Sequence, residues 1–157
     1  MKLYFLRHAH AEAHGTRDDH DRKLTAEGVL AATAASKVMK ALNIMPLTIY
    51  TSPRERALHT ANIAGEIIGA PVLISEEVNF GFDATAVERL LSNRKEQGDV
   101  MFVGHEPYFS ETIRQITSGM IEMKKAGFAR VDVDPSLSPL RGTLVWLLSP
   151  KVFEVLS

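Results

Sequence analysis

The stretch LYFLRHAHAE (residues 3–12) decides how the rest of the chain is read. Residues 2–6, KLYFL, are apolar and β-prone apart from the leading lysine, with no polar alternation. That pattern suits a strand buried on both faces of a parallel sheet. The run then stops at Arg7 and His8, with a second histidine at His10. Working outward, PLTIYTS (46–52), APVLI (70–74) and DVMFVGH (99–105) read as further strands of the same kind. Between them lie helical patterns. One is capped by Thr25 and runs to about Leu42, with Leu30, Ala34, Val38 and Leu42 expected on its buried face. A second, 53–68, has Pro53 near its first position and stacks Ala57, Ala61, Ala64 and Ile68. A short third covers 83–94, with Val87, Leu90 and Leu91 apolar, and a fourth follows Pro107 to about Ser118. From Ala126 the pattern changes. FARVDVD (128–134) and GTLVWLLS (142–149), separated by PSLSPLRG, read as an antiparallel pair. The expected fold is an α/β three-layer sandwich. A mostly parallel mixed sheet carries helices on both faces, and an antiparallel edge pair lies near the C-terminus.

The chain has 157 residues, 45% of them hydrophobic and 24% charged, which suits one domain over 1–157 with a substantial core. A formal net charge of −1 gives no reason to expect nucleic acid or an anionic membrane as partner. No apolar run reaches the roughly 18 residues of a membrane span, and the N-terminal apolar stretch is too short for a secretory signal. There are no cysteines, so disulfides, thiolate metal sites and thiol nucleophiles are excluded, and a cytoplasmic location is expected. No internal repeat or low-complexity segment stands out.

Ligands of parallel α/β sheets bind outside the C-terminal ends of the strands. The residues delivered there are Arg7 and His8, then Thr51 and Ser52 with Arg56 just beyond, then Gly104 and His105. Two arginines and two histidines from three strands suit an anion. Guanidinium forks match the oxygens of a phosphate and stay charged. A histidine beside bound phosphate is either a donor or a nucleophile that takes the phosphoryl group on a ring nitrogen. Phosphoryl transfer asks mainly for in-line positioning and positive charge on the equatorial oxygens. His8 as nucleophile with Arg7, Arg56 and His105 around the phosphoryl group would supply both. A backbone carbonyl accepting from one ring nitrogen would leave the other unprotonated. The plainer alternative is that these are structural strand-end residues and that Arg54, Glu55 and Arg56 are a solvated helical turn. Cations at a helix N-terminus oppose the macrodipole, which favours anion binding. The loop HAHAEAHGTRDDHD (8–21) holds four histidines, one glutamate and three aspartates, so a metal site on His8, His10, His14 and an aspartate is a rival. No second cluster completes it, and Arg7 would repel a cation.

LRHA (6–9), TSPRERALHTA (51–61) and VGHEP (103–107) resemble, in order, the three signature blocks of the histidine phosphatase (phosphoglycerate mutase-like) superfamily. The resemblance spans essentially the whole chain. It implies a phosphohistidine intermediate on His8 and a phosphate pocket completed by Arg7, Arg56 and His105; Arg54 does not match the motif arginine. The chain is most similar to the small SixA-type phosphohistidine phosphatases, with little room between the third and fourth strands for the helical cap of mutases and sugar phosphatases. DHDRKLTAEG (19–28) resembles a block of the small enzymes and makes Arg22 a further phosphate contact, with Lys23 where proline is common. Ala9 stands where glycine is commonest. Mutase-type members take their general acid from the insertion. The candidates here are Asp19 by position, then Asp18, Asp21 and Glu77. A phosphohistidine substrate needs an acid less than an alkyl phosphate does, because protonated imidazole leaves readily. The resemblance thus implies a metal-independent phosphatase without a cofactor. Its substrate would be phosphohistidine on a partner protein such as a phosphotransfer domain. The alternatives are a phosphomonoesterase of the same superfamily acting on a small metabolite and a non-catalytic phosphate-binding module.

Overall fold

The computed structural model describes residues 1–156. Six strands form one sheet in the order β3-β2-β4-β1-β5-β6. They are β1 (Lys2–Arg7), β2 (Thr48–Thr51), β3 (Val72–Ile74), β4 (Val100–Gly104), β5 (Phe128–Val133) and β6 (Gly142–Leu148). Strands β3, β2, β4 and β1 run parallel, β5 is antiparallel to β1, and β6 is antiparallel to β5. The helices are α1 (Ala26–Ala41), α2 (Glu55–Ile68), α3 (Ala84–Ser92), α4 (Tyr108–Thr117) and α5 (Pro150–Leu156). This is the α/β arrangement expected from the sequence, with the antiparallel pair at one edge. Among the described residues no helix is long and apolar enough to cross a membrane.

The unbroken apolar run of β1 has a simple cause. Successive side chains point to opposite faces, and both faces are covered. Leu3 and Phe5 join Val100, Phe102, Phe109 and Ile113 in one core, under α3 and α4. Tyr4 and Leu6 join Met101, Val103, Ala35, Met39, Ala57 and Ala61 in the other, under α1 and α2.

Two readings of the helices need correcting. On α1 the buried residues are Gly28, Ala32, Ala35, Ser36 and Met39, not the expected stripe. Leu30 is 73% exposed and Leu42 is 49% exposed. The alanine-rich helix offers two apolar stripes, and the one with small side chains faces inward, where it packs with the Ala57–Ala61–Ala64 face of α2. Helix α2 begins at Glu55, with Arg54 rather than Pro53 at its cap. Helix α5 was not anticipated; its Phe153 packs on Phe128 and closes the second core.

The segment from Ala9 to Thr25 is fastened as a strap across the C-terminal edge. Glu12 N–H donates to the Lys23 carbonyl at 2.9 Å and Thr25 N–H to the His10 carbonyl at 3.1 Å. A single bridge pairs Ala11 with Leu24. A one-turn 3₁₀ helix at Asp19–Asp21 lies within the strap.

Candidate active site

The register of β1 on β4 sets Arg7 opposite Gly104, so the two parallel strands end together. His8 N–H continues the ladder to the Gly104 carbonyl at 3.0 Å, and the His8 and His105 rings lie 5.3 Å apart. Next to them β2 ends in buried Thr51 and Ser52, and Arg56 enters from the first turn of α2 with 3% exposure. Arg22 arrives from the strap and is also buried. Arg7, His8, Asp19, Arg22, Arg56 and His105 line one cavity of about 420 Å³, together with Phe80, Glu106 and Lys125. The strands, α2 and the strap thus bring together all four central residues singled out in the sequence, with Arg22 and Asp19 beside them.

His8 Nδ1 sits 2.8 Å from the Ala9 carbonyl oxygen. A carbonyl only accepts, so Nδ1 carries the hydrogen and Nε2 is left with its lone pair. Thr60 steadies this turn. Its hydroxyl accepts from Ala9 N–H at 3.1 Å and donates to the Arg56 carbonyl at 2.7 Å. Burial pushes the His8 pKa down to about 3, assisted by the charges of Arg56 and Arg7 against the opposing bond to Ala9. His105 is likewise held neutral, at about 2, by burial and then by His8 and Arg56. Its Nε2 lies 2.7 Å from Ser52 Oγ, which itself accepts from Arg54 N–H at 3.2 Å. When Ser52 donates its own proton to Nε2, the neutral ring carries its hydrogen on Nδ1.

Among the described residues, three buried side-chain polar atoms lack a partner: Arg7 Nε, Arg56 Nε and His105 Nδ1. All three belong to this cavity's lining residues. Buried donors are nearly always satisfied, and leaving one unpaired costs about 1–3 kcal/mol. Two buried guanidiniums and a second neutral histidine lining one cavity with His8, whose Nε2 is unprotonated, suit a tetrahedral anion placed there. Burial lowers the pKa of both Arg7 and Arg56 from the usual guanidinium value, opposed for Arg7 by Glu106 and for Arg56 by Asp19.

Asp19 is the counter-charge of the site. Its Oδ1 accepts from Arg22 Nε at 2.9 Å, and its Oδ2 accepts from Arg54 Nη1 at 2.7 Å and Arg56 Nη2 at 3.3 Å. Its backbone carbonyl takes a further bond from Arg56 Nη1 at 2.7 Å. Partial burial works against its ionisation, but the bond from Arg22 and the charge of Arg56 outweigh it and hold the pKa below the usual carboxylate range. Arg54, set aside in the sequence comparison, proves to be part of the surround. It binds Asn79 Oδ1 at 2.8 Å and lies 3.7 Å over the Phe80 ring, whose edge meets His105.

The other candidate acids stand apart from the cavity. Glu77 is ion-paired with Arg89 at 2.7 Å on the surface, and Asp18 and Asp21 are exposed. His10 meets Thr25 Oγ1 at 2.8 Å, His14 approaches Asp19 at 3.5 Å and His20 approaches Asp21 at 3.3 Å. Among the described residues no three histidine, aspartate or glutamate side chains form a group suited to a metal ion. Sequence reasoning passed over Thr60, Phe80 and Glu106. Thr60 and Glu106 were within reach, since both lie in the quoted motifs. Glu106 lines the cavity while its carboxylate accepts from Ser110 N–H at 2.8 Å in the first turn of α4. Nothing local marks Phe80.

The sequence profile of the Histidine phosphatase superfamily (branch 1) matches residues 3–81. No curated protein matches the chain. Among solved structures, the protein histidine phosphatase SixA complexed with tungstate superposes with a TM-score of 0.86 at 22% identity, over 97% of this chain and 99% of that one. A structure from Agrobacterium tumefaciens assigned to SixA gives 0.79 at 23% identity, over 95% and 97%. A mycobacterial glucosyl-3-phosphoglycerate phosphatase complexed with VO3 gives 0.74 at 19% identity, over 94% and 99%. At these identities the likeness is one of fold.

Proposed function

The chain belongs to the histidine phosphatase superfamily, and from that premise we propose that it is a phosphatase working through a phosphohistidine intermediate on His8, with phosphohistidine on a partner protein as its substrate. The phosphoryl group binds between Arg7, Arg56 and His105, whose unpartnered N–H groups donate to its equatorial oxygens, with Arg22 alongside. His8 Nε2 attacks phosphorus in line. The N–P bond to the substrate imidazole breaks as the new N–P bond forms, and the departing ring leaves as neutral imidazole when it enters protonated. Water then attacks the phosphoryl-His8, inorganic phosphate departs, and the Nε2 lone pair is restored. The Ala9 carbonyl keeps the Nδ1 hydrogen in place and stabilises the positive charge that the ring gains.

The observation that carries this reading is the convergence of Arg7, Arg22, Arg56 and His105 on one cavity with a histidine whose Nε2 holds its lone pair. The leaving group is argued from Asp19. Three arginines hold it as a carboxylate, so it is not poised to donate a proton. An acid commonly contributes about 10²- to 10⁴-fold, which an alkyl ester would forfeit and an imidazole largely would not. Rapid quench with labelled phosphohistidine substrate is expected to trap an acid-labile, base-stable phosphoenzyme, in chelator as well as without it. His8→Ala is expected to trap none; label at the wild-type level in that variant would refute the nucleophile. Turnover of sugar or nucleotide phosphates with none of phosphohistidine would replace the substrate with a small metabolite, as for the mycobacterial phosphatase of similar fold.

A further inference from the structure

The apolar stripe expected on the buried face of α1 is only half-buried at Ala34 and Val38 and exposed at Leu30 and Leu42, and it lines a groove. One cavity of about 600 Å³ is bounded by Leu30, Ala31, Ala34 and Phe153, and a second of about 530 Å³ continues past Val38 to Leu42. The two share Leu30, Ala34 and Phe153. The first also shares Arg7, His10 and Lys125 with the catalytic cavity, so the groove and the site adjoin at these three side chains. From Leu30 to Leu42 the floor extends about 18 Å along the helix, at 1.5 Å per residue.

We infer that this groove is the docking surface for the protein substrate: an amphipathic helix that carries the phosphohistidine lays its apolar stripe along α1. The inference rests on the proposed function and names the part of the substrate that function leaves open. Continuity is the first argument, because a chain whose phosphorylated ring enters the catalytic cavity must leave it over Arg7, His10 and Lys125. Shape is the second. Leu30, Ala34, Val38 and Leu42 recur every fourth residue, the spacing at which one helix receives another, and the stripe is several turns longer than a metabolite's leaving group needs. Charge is the third. Lys125, and Lys124 in its ion pair with Glu122, form the rim at the catalytic end, beside Arg7, with Glu27 and Glu154 further along the lining. The two lysines are held there by the backbone, since Gly127 N–H donates to the Lys124 carbonyl at 2.8 Å and Ala126 N–H to the Arg7 carbonyl at 3.2 Å. An occupant with carboxylates near its phosphohistidine and an apolar face beyond fits this order.

The test compares two probes: an amphipathic helical peptide whose single histidine is phosphorylated with phosphoramidate, and free phosphohistidine. Leu30→Glu places a charge on the floor, and Lys124→Glu reverses the rim; both side chains are exposed, so folding is not at stake. Each is expected to lower kcat/KM for the peptide at least tenfold, mainly through KM, and to leave free phosphohistidine within twofold. Equal effects on both probes, or none on either, overturn the docking surface. A change in oligomeric state by sedimentation, with kcat/KM for the peptide unchanged, would make the groove a contact between copies of this chain and also overturn it. If the wild type turns over neither probe, the proposed function fails; wild-type turnover of both with insensitive variants fails the groove alone.

Discussion

At the scale of single residues, Arg54 and Arg56 occupy one helical turn and contact the same oxygen of Asp19, yet their hydrogen-bonding states differ. Arg54 spends Nε on Asn79 and Nη1 on Asp19, whereas Arg56 lines the cavity and keeps a buried Nε without a partner. Arg56→Ala should therefore lose a charged hydrogen bond to the phosphoryl group, worth about 1.5–3 kcal/mol, or roughly 10- to 150-fold in kcat/KM. Arg54→Ala should cost less than tenfold, through loosening of Asp19 and Phe80. Steady-state kinetics of both variants decide it, and the reverse order would assign the phosphate contact to Arg54. The two buried histidines make a separate prediction about pH. Their folded pKa values, about 3 for His8 and about 2 for His105, lie below the ordinary histidine value near 6.5. Below that ordinary value the unfolded chain binds protons that the folded one refuses. The stability from burying them neutral is thus complete above pH 6.5 and declines as pH falls, by up to about 1.4 kcal/mol per pH unit for each. Urea midpoints should drop between pH 7 and pH 5, and a His8→Gln/His105→Gln double variant should flatten that slope. An unchanged slope would mean that the rings titrate in the native protein as they do in the unfolded chain.

At the scale of elements, the strap and the start of α1 are interlocked through Gly28. A β-carbon built there would lie 2.0 Å from the His10 carbonyl oxygen, which is backbone and cannot swing aside. The same carbonyl accepts from Thr25 N–H, and Thr25 Oγ1 caps the helix by accepting from Gly28 N–H at 3.0 Å. Gly28→Ala gains about 1 kcal/mol of helix propensity. It must also force α1 and the strap apart, an overpacking that costs about 1–3 kcal/mol or more. The expected outcome is a lower thermal midpoint together with reduced kcat/KM, because Asp19 and Arg22 ride on the strap. A raised midpoint with full activity would show that the strap yields freely and does not position them.

For the molecule as a whole, the site is an edge assembly: three parallel strand ends, one helix start and a strap, with a long groove leading away along α1. What the sequence determined by itself was everything written within one element. The strands, the existence of four helices, the Thr25 cap and the delivery of Arg7, His8, Arg56 and His105 to one sheet edge follow from local apolar patterning and from the fixed handedness of strand–helix–strand connections. Three motif blocks were enough to suggest the family, because each is a short run at a strand end. What only the tertiary structure decided depends on neighbours distant along the chain. Helix α1 carries two apolar stripes of similar merit, and the close fit of alanines against α2 chose which one turned inward. Asp19, a candidate acid by its position in the sequence, became the partner of Arg54 and Arg56, 35 and 37 residues away. Glu77 was drawn to Arg89 on α3 instead of to the cavity. The neutrality of His8 and His105 likewise has no local signature. It arises because folding removes both rings from water beside Arg56, and burial and charge pairing are properties of the assembled chain rather than of any segment of it.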